Sequence, residues 1–245
     1  MSTLQNKTAV ISGGFGQIGQ AVAKKLSSLG ARIVLLVRSN LNDATHFVSQ
    51  LPGSNHLVIR ADVTDTNSLK MAVEQISQCD ILINCAAITS AVDPLDLNTL
   101  TDEMFDQIIT TNLRGTYATI REFIKLLEQS DDGLIINITS TAGIRPGPNN
   151  LAYAASKAGV DILTKSLSAR LAPNVRIISI APGMLEQNVS GGGKHNNEKK
   201  NRIILDTPMK KIVTAEDVAL VVQAYAITIK YATGSVIILD GGRTV

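Results

Sequence analysis

The sequence predicts an α/β fold: a doubly wound parallel sheet with helices on both faces. Three observations carry that expectation. Short apolar runs rich in Ile, Val and Leu recur along all 245 residues. Runs of helical length separate them. A glycine cluster, "ISGGFGQIGQ" over residues 11–20, sits where the first apolar run meets the first helical one. Strands that alternate with helices pair in parallel, and each crossover helix covers a face of the sheet.

The elements follow in order. Strands are expected at 8–12, 33–37, 56–61, 81–86, 134–138, 175–180 and 235–239. They are short and almost wholly apolar, as strands buried on both faces must be. The first helix, 18–29, repeats apolar residues at 18, 22, 26 and 29, one face of a 3.6-residue turn. Further helices are expected at 65–77, 101–127, 152–171 and 215–229. Within the last, "VALVVQAYAITI" (218–229) is apolar nearly all round. Such a helix is either deeply buried in its own domain or covered by a second subunit, and a subunit interface is the favoured reading.

One segment breaks the rhythm. Residues 188–208, "NVSGGGKHNNEKKNRIILDTP", are polar, Gly-rich and basic. They read either as a solvated loop or as a lid over a substrate site, since long loops in compact α/β domains often serve as lids. The whole of 1–245 is otherwise expected to form one domain, with enough chain for a real core.

Composition narrows the function class. The chain is 44% hydrophobic, 3% aromatic and 18% charged, with a net charge of +2. The core must therefore rest on aliphatic residues. A near-neutral balance gives no case for nucleic acid. No apolar run reaches membrane-spanning length, and residues 1–7 are too short and polar for a signal peptide. Cys79 and Cys85 make no disulfide framework, which points to a reducing, cytoplasmic compartment.

The glycine cluster lies between a strand and a helix, the context a dinucleotide fingerprint needs. Gly13 permits a tight turn off the strand. Gly14 and Gly16 let backbone approach a pyrophosphate, and Gly19 lets the helix pack on the sheet. The helix N-terminus offers free N–H groups and partial positive charge to the phosphates. The tip of the second strand bears on the choice of nucleotide. An NAD site usually carries an acid there for the ribose 2′-OH. This chain has Val37, Arg38 and Ser39 instead. A guanidinium and a hydroxyl suit a 2′-phosphate. NADP(H) is therefore favoured, with NAD(H) as the alternative.

A second constellation lies further on. In "YAASK", Tyr153 and Lys157 are four apart and share a helix face. A tyrosine is a poor base at neutral pH, and a neighbouring ammonium favours its phenolate. Such a pair moves a proton to or from a carbonyl or alcohol oxygen. Upstream stand "IINITS" ending in Ser140, "TTNLRGT" containing Asn112, and "NCAA" from Asn84 to Ala87. Downstream come "IAPG" (180–183) and "LDGG" (239–242). With these motifs in this order, the sequence resembles the short-chain dehydrogenase/reductase family over essentially its whole length.

The resemblance implies a Rossmann fold and an NAD(P)-dependent oxidoreductase acting on a ketone or secondary alcohol, with no metal. It implies roles residue by residue. Tyr153 is the general acid/base. Lys157 lowers its pKa and holds the nicotinamide ribose. Ser140 orients the substrate oxygen, and Asn112 supports a water linking Lys157 to solvent. Ser12, Gly13, Phe15, Gly16, Gln17, Ile18 and Gly19 form the cofactor loop, with Arg38 and Ser39 at its adenosine end. Asp62 and Val63 match the adenine-binding pair, Asn84 and Ala86 line the cofactor, and Pro182 and Gly183 border the nicotinamide beside Ile180. Members are commonly dimers or tetramers, so a homo-oligomer, in its fullest form a homotetramer, is expected.

The chain also departs from the family pattern. Gln17 stands where the single-domain branch usually has Gly, and Ser12 replaces Thr. The Gly13-x-x-Gly16-x-x-Gly19 spacing looks like the branch that acts on nucleotide-sugars. That branch needs a sizeable C-terminal region, and only 62 residues (245 minus 183) follow Gly183. Length therefore favours the single-domain branch. Asn-Cys-Ala-Ala replaces the usual Asn-Asn-Ala-Gly, and Gln187 stands where Thr often binds the carboxamide. The alternatives to a carbonyl reductase are a nucleotide-sugar-modifying enzyme and a non-catalytic NADP-sensing protein.

Overall fold

The computed structural model describes residues 4–90, 92–93, 95–145, 147, 150–186 and 194–244. Seven parallel strands form one sheet: β1 (Thr8–Ser12), β2 (Arg32–Val37), β3 (Leu57–Arg60), β4 (Ile81–Asn84), β5 (Gly133–Ile138), β6 (Val175–Pro182) and β7 (Val236–Leu239). Their order is β3-β2-β1-β4-β5-β6-β7. The chain winds outward from β1 to β3, then returns to β4 and winds the other way. The reversal opens a crevice at the carboxyl ends of β1 and β4, where open α/β sheets bind ligands. β1 and β4 are in register from Ala9–Ile81 to Ser12–Asn84.

Helices α1 (Gln17–Ser28), α2 (Leu41–Ser49) and α8 (Ala215–Ile227) cover one face. Leu26, Phe47 and Val222 pack there against Ile33, Leu35 and Ile178. Helices α3 (Thr66–Glu74), α5 (Gly115–Leu127) and α6 (Leu151–Leu171) cover the other. Phe123, fully buried, packs there with Leu69, Leu127, Ile135 and Ile177. Every residue of β1, β4, β5 and β6 is buried, as the unbroken apolar runs require.

Two local features depart from expectation. Residues 41–49 form a helix, α2, where none was expected, with Leu41, Ala44, Phe47 and Val48 on one face. Asn40 in the left-handed region (φ 59°) starts it, and only Ala44, Phe47 and Val48 are buried. The run expected at 101–127 is not one regular helix. It divides into α4 (Asp102–Ile109), a π-helical turn (Thr110–Arg114) that contains Asn112, and α5. A π turn inserts an extra residue and re-aims side chains locally. Residues 194–206 of the polar segment form α7 (Lys194–Asp206), and residues 188–193 lie outside the described residues. Among the described residues no helix is long and apolar enough to cross a membrane.

The near-uniformly apolar helix is α8. Val218, Ala219, Val222, Tyr225 and Ala226 are buried, while Leu220 remains 51% exposed. Thr214 and Asp217 close a capping box at its N-terminus. That box satisfies two orphan donors and holds the helix start against the sheet.

Candidate active site

The glycine loop turns directly beneath the reversal of the sheet. Gly13 adopts φ +63°, and a Cβ there would lie 2.7 Å from the Ala86 Cα. The missing side chain lets the β1 loop rest on the β4 loop. Gly19 serves a different purpose from the one its spacing suggests. A Cβ there would meet the Gly14 carbonyl oxygen at 2.7 Å, so at this position the helix closes on its own loop, while Val22 and Leu26 carry its packing on the sheet. Gly14 makes room for Leu35 of β2, where a Cβ would meet Cδ2 at 2.7 Å, so its lack of a side chain serves packing.

Gly16 caps α1 without a side-chain hydrogen bond, and the first turn carries no acid. The opening N–H groups of α1 therefore remain available to a ligand. Gln17 and Gly16 are both exposed, so Gln17 is accommodated as the first helical residue, without entering the turn. Phe15 and Ile18 are half-buried against the sheet, and Ser12 is buried beneath them.

Arg38 and Ser39 are exposed just past β2. Asp62 is held by its own turn: the Thr64 N–H and hydroxyl both donate to its Oδ1 at 2.8 Å. Val63 is buried, and its Cγ2 fills the space a Cβ on Gly115 would need. Asn84 is buried and donates from Nδ2 to Asn137 Oδ1 at 2.8 Å, while its own Oδ1 has no partner. Gly183 donates its N–H to the Leu239 carbonyl at 2.9 Å, which fixes the end of β6, where Pro182 is buried, against β7.

These features together fit a dinucleotide. The loop lacks a side chain where Gly13 closes on the loop after β4, an uncapped helix start faces it, and one cation, Arg38, is exposed just past β2. The fold therefore brings every expected cofactor residue to the carboxyl edge of the sheet.

Tyr153 and Lys157 lie one turn apart in α6. Asn150 caps that helix, accepting from the Tyr153 N–H at 3.2 Å, and donates from Nδ2 to the Ser90 hydroxyl at 2.8 Å. The cap thus ties the start of the helix to the loop after β4. Lys157 is 4% exposed. Its Nζ donates to the Ile138 carbonyl at 2.8 Å and stands 5.6 Å from the centre of the Tyr153 ring. Burial pushes its pKa down to about 8, opposed by Cys85 and Asp161. A site that titrates near neutrality is suited to proton transfer.

The tyrosine behaves differently from the sequence expectation. Burial raises the Tyr153 pKa, and its hydrogen bond with Ser140 opposes that shift. In the free chain desolvation therefore outweighs the Ser140 hydrogen bond. Ser140 also accepts from the Ala142 N–H at 3.1 Å, so a short 3-10 turn (Thr141–Gly143) holds its hydroxyl beside the phenol.

Asn112 is fully buried in the π turn. Its Oδ1 accepts from the Ile88 N–H at 2.8 Å, and its Nδ2 donates to the Ile88 carbonyl at 2.9 Å and the Ser156 hydroxyl at 3.1 Å. The side chain clamps the loop after β4 to α6 and has no spare donor. Its backbone carbonyl accepts from the Thr116 hydroxyl at 2.8 Å. Gln187 lies outside the described residues. Cys85 sits in the cradle, and burial pushes its thiol up to about 12, which keeps it protonated and inert.

Sequence reasoning missed Asn150, Ser156 and Asp161. Asn150 stands three residues before Tyr153, an N-cap spacing that was legible. Asp161 stands one helical turn beyond Lys157 and is only 6% exposed.

Comparison with known proteins agrees with this geometry. The family described as enoyl-(acyl carrier protein) reductase matches residues 15–244. The 3-oxoacyl-(acyl-carrier-protein) reductase FabG of Rickettsia bellii is 33% identical, covering 99% of this chain and 98% of that protein. Carbonyl reductase family member 4 of Danio rerio is 31% identical, covering 97% and 98%. A solved short-chain dehydrogenase/reductase from Serratia marcescens superposes with a TM-score of 0.88 at 28% identity, covering 99% of this chain and all of that one (100%).

Proposed function

The chain belongs to the short-chain dehydrogenase/reductase family, an NAD(P)-dependent oxidoreductase of CH–OH and carbonyl groups, and from that premise we propose that it is an NADPH-dependent reductase of a small ketone. The observation that carries this reading is the Ser140–Tyr153–Lys157 cluster beside an uncapped helix start.

When bound, the nicotinamide supplies the hydride to the carbonyl carbon. Tyr153 donates its phenolic proton to the carbonyl oxygen, which becomes the alcohol hydroxyl. Ser140 donates a hydrogen bond to that oxygen and fixes its distance from Tyr153. Lys157 would hold the ribose hydroxyls. Its ammonium stabilises the phenolate left behind. Asn112, by clamping the Ile88 loop to α6, keeps open a path by which water returns the proton.

Arg38 supports the choice of NADPH. Its guanidinium has no hydrogen-bond partner among the described residues, and no acid stands at the tip of β2 to repel a 2′-phosphate. Residues 188–208 serve as the substrate lid of one catalytic domain spanning 1–245. One contact supports this: Lys200 Nζ donates to Glu186 Oε1 at 2.6 Å. It ties α7 to the loop after β6. The protein works in the cytoplasm, where Cys79 and Cys85 stay reduced. It assembles as a homo-oligomer through the outer side of α8, where Leu220 is 51% exposed, and the edge strand β7, where Ile238 is 47% exposed.

A carbonyl panel followed by NADPH and NADH absorbance tests the reading. Tyr153→Phe is expected to abolish turnover with NADPH binding retained, and turnover in that variant sinks the assignment. Arg38→Ala is expected to raise KM for NADPH by about 10- to 100-fold, the loss of one charge-assisted contact, and to leave KM for NADH unchanged. Equal effects on both cofactors remove the NADPH preference.

A further inference from the structure

Helix α6 carries Tyr153 and Lys157, and two turns of the chain rest on it. A Cβ on Gly143, in the 3-10 turn that holds Ser140, would lie 2.6 Å from the Ala158 N and 2.8 Å from the Lys157 C. A Cβ on Gly159 would lie 2.9 Å from Leu113 Cδ2, in the π turn. Both approaches are close because a glycine supplies no side chain. Apolar packing of this kind is non-directional. It fixes how near the turns stand to the helix and does little to fix the rotation of the helix or its shift along its axis. A hydrogen bond weakens steeply as its angle changes, so register depends on bonds of that kind.

One such bond crosses the junction at Ser156, which is fully buried. Its Oγ donates to the Tyr153 carbonyl at 2.7 Å and accepts from Asn112 Nδ2 at 3.1 Å. Asn112 is bonded in turn to both the N–H and the carbonyl of Ile88, and its own carbonyl accepts from the Thr116 hydroxyl. A line of bonds therefore runs from the loop after β4, through the π turn, to the first turns of α6. The helix has a second tie to the same loop, from Asn150 Nδ2 to the Ser90 hydroxyl at 2.8 Å. Asn150 stands three residues before Tyr153 and Ser156 three residues after it, while Ile88 and Ser90 are two residues apart. Tyr153 is thus bracketed by two ties to one short stretch of loop.

We propose that Ser156 is a positioning residue for the reaction, whose hydroxyl fixes the register of the Tyr153 phenol against Ser140 and the substrate oxygen. The inference rests on the proposed role of Tyr153 and extends it. Ser140 belongs to the 3-10 turn and Tyr153 to α6, so their mutual distance is a property of how the two elements are aligned. A proton transfer tolerates little error in that distance.

The bond within the helix does not account for the residue. An interior helical carbonyl already has the N–H four residues on to serve it, and a serine hydroxyl that bonds back along the helix adds no stability and often bends it. Ser168 makes the same bond on the same helix, to the Lys165 carbonyl at 2.8 Å, and no donor from another element meets it among the described residues. Ser156 differs by the Asn112 amide. Without Ser156 the Asn112 Nδ2 keeps the Ile88 carbonyl at 2.9 Å as a partner. Removing the hydroxyl therefore uncouples α6 from the π turn at the loss of one bond from Asn112, and the clamp on Ile88 stays.

The test sets Ser156→Ala against Ser168→Ala in full-length protein. Position is read from the fluorine resonance of Tyr153 in protein labelled with fluorotyrosine, one of four tyrosines, identified by its loss in Tyr153→Phe. The kcat and KM for ketone reduction and the urea midpoint are measured in parallel. In Ser156→Ala the Tyr153 fluorine is expected to shift and kcat to fall about 10- to 100-fold, since a misplacement of about 1 Å costs about 100-fold. KM is expected to stay within about twofold, because neither the glycine loop nor Ser140 is touched. Ser168→Ala is expected to match wild type in every measurement. Should the alanine variant not fold, Ser156→Cys, whose thiol is a weak donor and acceptor, repeats the measurement with a smaller loss expected. An unmoved Tyr153 fluorine in the folded variant overturns the inference, whatever happens to the rate. So does a rise in KM at unchanged kcat, and so does an equal movement in Ser168→Ala, since the bond within the helix would then be the cause. Turnover by Tyr153→Phe would instead overturn the proposed function, and the fluorine resonance would still decide this one.

Discussion

Gly13 and Gly16 stand three residues apart in one loop, and the structure gives them opposite jobs. Gly13→Ala places a Cβ on a residue at φ +63°, which costs about 1–2 kcal/mol for an L side chain. The new carbon would also lie 2.7 Å from Ala86 Cα, 2.8 Å from Ala86 N and 3.1 Å from Cys85 C. Those are backbone atoms, and they have little room to move. The Cys85 N–H donates to the Ser12 carbonyl at 3.1 Å, and the Gly14 N–H donates to the Leu36 carbonyl at 3.3 Å. Relieving the overlap means shifting one of two bonded loops, at about 1–2 kcal/mol more. The total expected loss of stability is ~2–4 kcal/mol.

Gly16→Ala meets only the Gly13 carbonyl, at 3.2 Å, and Gly16 has φ −72°. Its stability cost is about 1 kcal/mol or less, that of a poorer N-cap. It does, however, place a methyl where a phosphate must approach. Urea unfolding and NADPH titration by fluorescence separate the two. Gly13→Ala should lose stability. Gly16→Ala should keep most stability and lose at least tenfold in NADPH affinity. Wild-type stability in Gly13→Ala, or wild-type affinity in Gly16→Ala, refutes this assignment of the loop.

Two further outcomes follow from the catalytic helix. Lys157 has its pKa lowered to about 8 in the fold, against ~10.4 for a free lysine, so the unfolded chain binds more protons between those values. Stability contributed by this site is therefore lowest below pH 8 and rises as pH climbs from 8 toward 10.4. Lys157→Met removes that penalty, offset by the lost bond to Ile138. It should stabilise the protein by about 2 kcal/mol at pH 7 while abolishing turnover, with the gain fading toward pH 10 in urea titrations. Asn150→Ala removes the cap of α6 and the bond to Ser90. It should lower stability by ~1 kcal/mol and reduce kcat more than it raises KM, because Tyr153 loses its anchor while the cofactor cradle is untouched.

Much of this was legible in the chain. Apolar runs with no polar alternation fixed a parallel sheet, because only strands buried on both faces lack a solvent side. Tyr153 and Lys157 declared themselves by helical spacing, and Ser140 and Asn112 by their place in the motif series. Helix α2 was missed although Leu41, Ala44, Phe47 and Val48 stand at helical spacing, because the run is only nine residues long and starts at a left-handed Asn40 with no side-chain cap. The π turn was not legible, because an inserted helical residue leaves no mark on composition.

The sequence by itself determined which residues meet at the carboxyl edge of the sheet, since strand order and loop position follow from local pattern. Tertiary structure alone decided their chemical state. Whether Tyr153 is raised or lowered, and whether Lys157 titrates near 8, depends on how much water the surrounding chain excludes. Desolvation and charge act through space, between residues such as Asn84 and Ser179 that stand 95 positions apart (179 minus 84) in the chain and share one line of hydrogen bonds in the core.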